Sequence, residues 1–273
     1  MEPLIFQYLS DVHSEFYSGN PGKLNKMGIQ RKAPYLILAG DIGNPFSKIY
    51  EDFIKRMSEI FDKVFLISGN HEYYKHSKHC GDFIDNEEDD GYKWLNFVDE
   101  QIRNIVNKFE NKNVIYLQNE CYKINDDIMI YGGTFWTNIK NDEIENVKEW
   151  MRDYQVIPNF TIKTCGELHK TAADNLEKSM EQFNKHKFIV ISHHLPSYSL
   201  IHPKYLGSNV RLNSAFASEI DVAKDERIVA WIAGHTHCCM QIGKFYVNPI
   251  GYPGENLISC KKINKTFKIN YYT

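Results

Sequence analysis

The chain has 273 residues, 42% of them hydrophobic and 25% charged, with a formal net charge of -3 at pH 7. That length can bury a full α/β core, and that charge gives no electrostatic footing for nucleic acid, whose binders carry a basic stripe. The 17 Tyr and 16 Phe are spread along the chain and are not interleaved with a cluster of Lys and Arg.

No apolar run approaches the roughly 18 residues needed to span a bilayer, so no membrane partner is expected. The opening run from Leu4 to Leu9 is too short for the apolar segment of a signal peptide. Cys80, Cys121, Cys165, Cys238, Cys239 and Cys260 form no C-x-x-C pair, which points to reduced thiols and a cytoplasmic setting. Cys238 and Cys239 are expected in strand packing and not as soft metal ligands. With no repeat, linker or low-complexity tract, residues 1–273 are expected to form a single domain.

The first apolar run, residues 4–9, reads as a strand and ends in Ser10-Asp11-Val12-His13. Tyr35-Leu36-Ile37-Leu38-Ala39 reads as a second strand, ending in Gly40-Asp41-Ile42-Gly43-Asn44-Pro45. Glycines on both sides of Asp41 let the backbone come close to whatever that carboxylate holds. Apolar residues at 46, 49, 50, 53, 54, 57 and 60 have helical spacing. A third strand, Val64-Phe65-Leu66-Ile67, ends in Ser68-Gly69-Asn70-His71-Glu72.

Residues 73–91 carry His76, His79 and Cys80, then an acidic run over 82–90. Without a second ligand pair at suitable spacing the first cluster falls short of a zinc site, and the acidic run reads as a solvated loop. A helix is expected over 92–109, short strands over 113–117, 121–124 and 128–131, and core packing for Trp136. The polar stretch 141–157 reads as helix or loop with Trp150, Met151 and Tyr154 as apolar anchors. A helix over 164–185 leads into Phe188-Ile189-Val190-Ile191, which ends in Ser192-His193-His194-Leu195-Pro196.

In the loop that follows, Arg211 and Asn213 are the residues best suited to grip an anionic substrate, and 214–220 reads as a short helix. The last buried strand, Ile228 to Ala233, ends in Gly234-His235-Thr236-His237. Alternate side chains of an extended segment share a face, so His235 and His237 can point at one metal site. Strands are expected over 244–247 and 266–272, with a turn over 248–252. Successive strands that deliver metal-type residues at the same end are the pattern of a layered α/β sheet, whose sites lie beyond the carboxyl ends of its strands.

Taken in order, D-V-H (11–13), G-D-I-G-N (40–44), G-N-H-E (69–72), S-H-H-L-P (192–196) and G-H-T-H (234–237) resemble the calcineurin-like metallophosphoesterase superfamily. The resemblance implies a four-layer α/β/β/α sandwich, two mixed sheets with helices outside, and a centre of two divalent metals. Asp11, His13 and His237 would hold one metal, Asn70, His193 and His235 the other, and Asp41 would bridge them. Carboxylate and imidazole donors suit Mn, Fe or Zn. His194 would stand behind the ligands or line the substrate pocket, although spacing alone leaves its exchange with His193 open. The implied chemistry is phosphoester hydrolysis, of a monoester or a diester, by a metal-bridging hydroxide, with His71 assisting the leaving oxygen. A small-molecule or nucleotide substrate is expected.

The chain departs from the protein Ser/Thr phosphatase branch, which has G-D-x-x-D-R-G after its second strand. Asn44 stands where that branch has an Asp able to pair with the catalytic His, and an amide cannot supply that charge. Two alternatives remain: a nuclease, disfavoured by the net charge, and an inactive metal-binding scaffold, disfavoured by a filled ligand set. The loops 73–91 and 197–213 carry no motif that reads out a substrate.

Overall fold

The computed structural model describes residues 2–20, 22, 24, 27–75, 91–207, 211–255, 257 and 263–270. His76, His79, Cys80 and the acidic run 82–90 lie outside the described residues. Two mixed sheets make the framework. The first has the order β11-β1-β2-β3-β4, from β1 (Leu4–Leu9), β2 (Tyr35–Ala39), β3 (Lys63–Ile67), β4 (Val114–Tyr116) and β11 (Thr266–Ile269). Its strands are parallel except for β11, which pairs antiparallel with β1.

The second sheet has the order β5-β6-β7-β8-β10-β9. It contains β5 (Glu120–Lys123), β6 (Ile128–Gly132), β7 (Lys187–Ile191), β8 (Ile228–Ala233), β9 (Met240–Ile242) and β10 (Phe245–Val247). The inner strands are parallel, and the edges β5 and β9 run antiparallel to their neighbours.

Side-chain alternation explains why these strands sit in the middle of a layered fold. In β2, Ile37 and Ala39 face the second sheet, whereas Leu36 and Leu38 face outward. In β3, Phe65 and Ile67 face inward and Val64 and Leu66 outward; in β7, Ile189 and Ile191 face inward and Phe188 and Val190 outward. Strands apolar on both faces need cover on both. Helices α1 (Lys48–Ile60) and α2 (Tyr92–Asn107) cover the first sheet, and α5 (Ile162–Gln182) covers the second. Helices outside two facing sheets give the four layers. Two short helices, α3 (Ile144–Trp150) and α4 (Asp153–Val156), precede α5.

The long helices start where their caps allow. Ser47 accepts from the Tyr50 amide at the head of α1, and Thr161 accepts from the Thr164 amide at 3.0 Å at the head of α5. The expected helix over 214–220 does not form. Ala217 pairs in parallel with Leu195, and the Ser218 amide donates to the Leu195 carbonyl. The stretch is therefore held extended, with 3₁₀ turns at Asn213–Ala215 and Asp221–Lys224. Trp150 is not an anchor: it is 59% exposed. Strand β9 was not foreseen, because its pattern carries exposed Gln241 and Ile242.

One acidic side chain sits half-buried at the edge of the outer core. Asp99 of α2 accepts from the hydroxyls of Tyr73 at 2.7 Å and Tyr116 at 2.6 Å. Burial nevertheless outweighs these bonds and the nearby Arg103, and raises the carboxyl pKa to about 6. An aspartate with a folded pKa above its unfolded value of about 3.9 holds its proton more tightly in the fold. Its contribution to stability is full below pH about 4 and is lost as pH rises through about 6. Asp99→Asn keeps a neutral acceptor, so the fall of urea-unfolding stability across that window should shrink by an amount on the order of 2 kcal/mol. An unchanged profile would show that Asp99 is ionised in both states.

Candidate metal centre

Strands β1, β2, β3, β7 and β8 deliver Asp11, Asp41, Asn70, His193 and His235 from their carboxyl ends to one place. The backbone there turns hard. Asp11, His13, Asp41, His235 and His237 all have left-handed φ, between 48° and 67°. Such a conformation is uncommon for residues with a side chain, persists only where the surroundings enforce it, and clusters at functional sites. The close approach of β2 and β3 requires glycine at position 40. Its φ is +83°, and a Cβ there would lie 2.6 Å from both the Gly69 nitrogen and His193 Nδ1.

Among the described residues three side-chain clusters could hold a metal ion: Asp11, His13 and His237; Asp41, His193 and His235; and His13, Asp41 and His71. In the first, His237 Nε2 lies 3.1 Å from His13 Nε2 and 3.4 Å from Asp11 Oδ1. In the second, His193 Nε2 lies 3.3 Å from Asp41 Oδ2 and 3.1 Å from Asn70 Oδ1. His235 Nδ1 is also 3.1 Å from Asn70 Oδ1. Asp41 Oδ2 is shared, since His13 Nε2 approaches it to 3.9 Å from the first cluster.

The outer atoms of these ligands are tied down. His193 Nδ1 lies 2.9 Å from the Ala39 carbonyl, His237 Nδ1 2.7 Å from Glu255, and His13 Nδ1 3.4 Å from Glu15. Asn70 donates through Nδ2 to Asp153 at 2.8 Å, which turns its carbonyl oxygen toward the two histidines. Partners of this kind fix the tautomer and orientation of metal-binding side chains. With their Nδ1 atoms turned outward, the Nε2 atoms of His13, His193 and His237 face the inside. Burial opposes a charge on His193, but Asp41 outweighs it and lifts the ring to about 10. Burial is likewise outweighed at His237, where Asp11 lifts the ring to about 9. Both positions call for positive charge, and a divalent cation fits their nitrogen and oxygen donors.

His193, and not His194, faces Asp41. The His194 ring is buried behind His235 at a centroid distance of 4.3 Å, with Trp136 at 5.4 Å on the other side. Burial and then His193 push its pKa down to about 3, so it is a neutral wall. His71 stands at the mouth. Its Nδ1 lies 3.4 Å from Glu15 Oε1, its Nε2 lies 3.2 Å from the Tyr252 hydroxyl and 4.0 Å from Asp41, and its ring stacks on Tyr74. Burial works against its charge, but Asp41 and then Glu15 raise its pKa.

The lost charge at Asn44 is thus met from another place. Asn44 does not touch His71; its side chain accepts from the Phe46 amide at the turn into α1. Glu15 supplies the carboxylate to both His13 and His71. Burial opposes its ionisation, yet the two histidines hold its pKa down at about 2.

Arg211 and Asn213 are not brought to the metals. The exposed Arg211 pairs with Asp142, and Asn213 lines a neighbouring cavity. The arginine that lines the metal cleft is Arg152, together with Trp150, Tyr252 and Glu255. Tyr252 stacks on His13 at 4.3 Å and meets His237 at 4.8 Å. Sequence reasoning missed Glu15, Asp153, Tyr252 and Glu255 because each acts through contacts distant in the chain or lies in a stretch without a motif. Cys238 and Cys239 are buried, and Cys239 Sγ lies 2.7 Å from Lys265 Nζ, apart from the clusters.

The family model for calcineurin-like phosphoesterases matches residues 8–239. The chain belongs to that family. The family is dinuclear metal-dependent, in keeping with the two clusters that share Asp41. The chain is also 31% identical to uncharacterized protein L509 of Acanthamoeba polyphaga mimivirus, over 90% of this chain and 88% of that one. In structure it is similar to phosphopantetheinyl hydrolase (PptH) from Mycobacterium tuberculosis, with a TM-score of 0.63 and 15% identity over 92% of this chain and 90% of that one. That likeness is one of fold. Among the described residues no helix is long and apolar enough to cross a membrane.

The joint of the site is Glu72. It accepts from the amides of Gly69 at 2.7 Å, Ile42 at 2.7 Å, Asp41 at 3.0 Å and Gly43 at 3.3 Å, all buried. Glu72→Ala leaves these donors without an acceptor. It should lower the unfolding free energy by about 2–5 kcal/mol and reduce bound Mn²⁺, measured by urea unfolding and elemental analysis. A loss below about 1 kcal/mol with full metal content would contradict this role.

Proposed function

We propose that the chain is a dinuclear-metal phosphoesterase that hydrolyses a small-molecule phosphoester. The observation that carries this reading is the shared Asp41 carboxylate between two N/O donor clusters, with His71 beside it at the open side of the cleft. Asp11, His13 and His237 would hold one metal, and Asn70, His193 and His235 the other, with Asp41 common to both. Bound there, two divalent metals would supply Lewis-acid activation of water and of phosphoryl oxygens. Mn, Fe and Zn all suit this donor set, which includes no thiolate.

The chain's own residues do the rest. His71 carries a proton on the cleft side, held by Glu15 behind it, and delivers it to the departing alkoxide. Tyr252 orients His71 Nε2 through its hydroxyl. Arg152 at the rim offers a charged contact to a non-bridging phosphoryl oxygen. Glu255 on the same wall opposes the approach of a polyanion, which favours a small ester over a nucleic acid strand.

Mn²⁺-dependent hydrolysis of p-nitrophenyl phosphate and bis-p-nitrophenyl phosphate tests the reading. At least one should be cleaved, and Asp41→Asn should abolish turnover. His71→Gln should lower kcat on an alkyl phosphate by about 10²–10⁴-fold. Its effect on p-nitrophenyl phosphate, whose leaving group needs little proton assistance, should be much smaller. Equal losses on both esters would remove His71 from the role of proton donor.

A further inference from the structure

Beside the metal cleft lies a second cavity of about 240 Å³ that shares two residues with it, Phe216 and Thr236. Its walls are Ile201, Tyr205, Leu212 and Phe216, with Asn213 at one side. Among the described residues the lining contains no Asp, Glu, Lys or Arg, and His202 is its one ionisable side chain besides Tyr205. The two spaces meet at a defined point. The Phe216 ring packs on the ring of His235 at a centroid distance of 4.9 Å. The buried Thr236 hydroxyl, between the two histidines of G-H-T-H, has no hydrogen-bond partner among the described residues. A buried hydroxyl without a partner is costly unless a ligand or water completes it.

The charge contrast is the argument. The metal cleft brings Asp41, Arg152, Glu255 and three imidazoles among its aromatic walls, whereas the adjoining cavity is aliphatic and aromatic with no Asp, Glu, Lys or Arg among the described residues. A phosphoester has the same two halves: a charged phosphoryl group and the alcohol it esterifies. We propose that this cavity is the alcohol-side subsite, and that the substrate is the phosphoester of a flat, uncharged ring group. The ring lies against Phe216 and Tyr205, at the end of the cavity that meets the metal cleft. Apolar contact with the ring provides the affinity, and few polar groups set its orientation. Asn213, whose amide donates to the Tyr205 carbonyl at 3.4 Å, then positions the Tyr205 wall and does not grip an anion. The placement of the phosphoryl half rests on the phosphoesterase reading above.

Binding separates the two claims. With Mn²⁺ present, calorimetric titration compares 1-naphthylmethylphosphonate with methylphosphonate, neither of which can be hydrolysed at its P–C bond. The naphthyl compound should bind about tenfold tighter or more, from the apolar surface it buries. Leu212→Trp fills the cavity, and Tyr205→Ala, at a residue 40% exposed, removes a wall. Both should erase most of that advantage while leaving methylphosphonate binding unchanged, which also shows that the variants are folded. Equal affinity of the two phosphonates, or variants that keep the naphthyl advantage, would overturn the subsite, and failure of both to bind would overturn the phosphoryl placement on which it rests. A naphthyl preference without turnover of any ester would uphold the subsite and sink the hydrolase reading instead.

Discussion

The structure depends on one carboxylate receiving four backbone donors. Glu72 lies just past β3, yet it binds the amides of Asp41, Ile42 and Gly43 from the turn after β2, and of Gly69 from its own turn. Two strand ends are thereby locked at a spacing where position 40 admits only a glycine. Asp41 then has its Oδ1 fixed by the His71 amide at 2.8 Å and its Oδ2 turned to the imidazoles of the cleft, with His193 Nε2 at 3.3 Å. Asp11 does the same across the sandwich, accepting the His235 amide at 3.0 Å. The two sheets are joined at the site by these bonds as well as by the apolar layer between them.

The left-handed residues follow from this. A side chain that must both hold a neighbouring strand's amide and aim at a common centre cannot stay in extended backbone. The strain of about 1–3 kcal/mol that such residues carry is borne by strands whose inner and outer faces are fully covered. Rigid strand ends suit a centre whose ligands must converge within a few ångströms. Around the cleft and the neighbouring cavity the aromatic side chains of Phe16, Trp150, Tyr205 and Tyr252 stay exposed. Behind His71 at the mouth of the cleft, Glu15 places a carboxylate from a 3₁₀ turn two residues after His13.

Much of the fold, and of the clusters that could hold metal, was legible in the chain because both obey local rules. Apolar runs of strand length each ended in Asp, Asn or His, and period-two alternation placed them in a layered sheet. What stayed hidden depends on pairs of residues far apart. Glu15 reads as an ordinary loop acid until the turn brings it under His71. Asp153 becomes an orienter of Asn70 only through a separation of 83 residues. Tyr252 and Glu255 follow a turn with no motif, and Trp150 reads as core because composition cannot tell an aromatic anchor from an aromatic rim. The expected helix at 214–220 failed for a related reason: pairing with Leu195 overrode local propensity. Arg211 was chosen for its chemistry, and its partner Asp142 lies on a segment that the sequence does not place.

In the proposed centre two metals share Asp41. Anomalous diffraction from crystals grown with Mn²⁺ tests it most directly. Two peaks per chain are expected, roughly 3.5–4 Å apart, one among Asp11, His13 and His237 and one among Asn70, His193 and His235, with Asp41 between them. A single peak, or peaks away from Asp41, would contradict it.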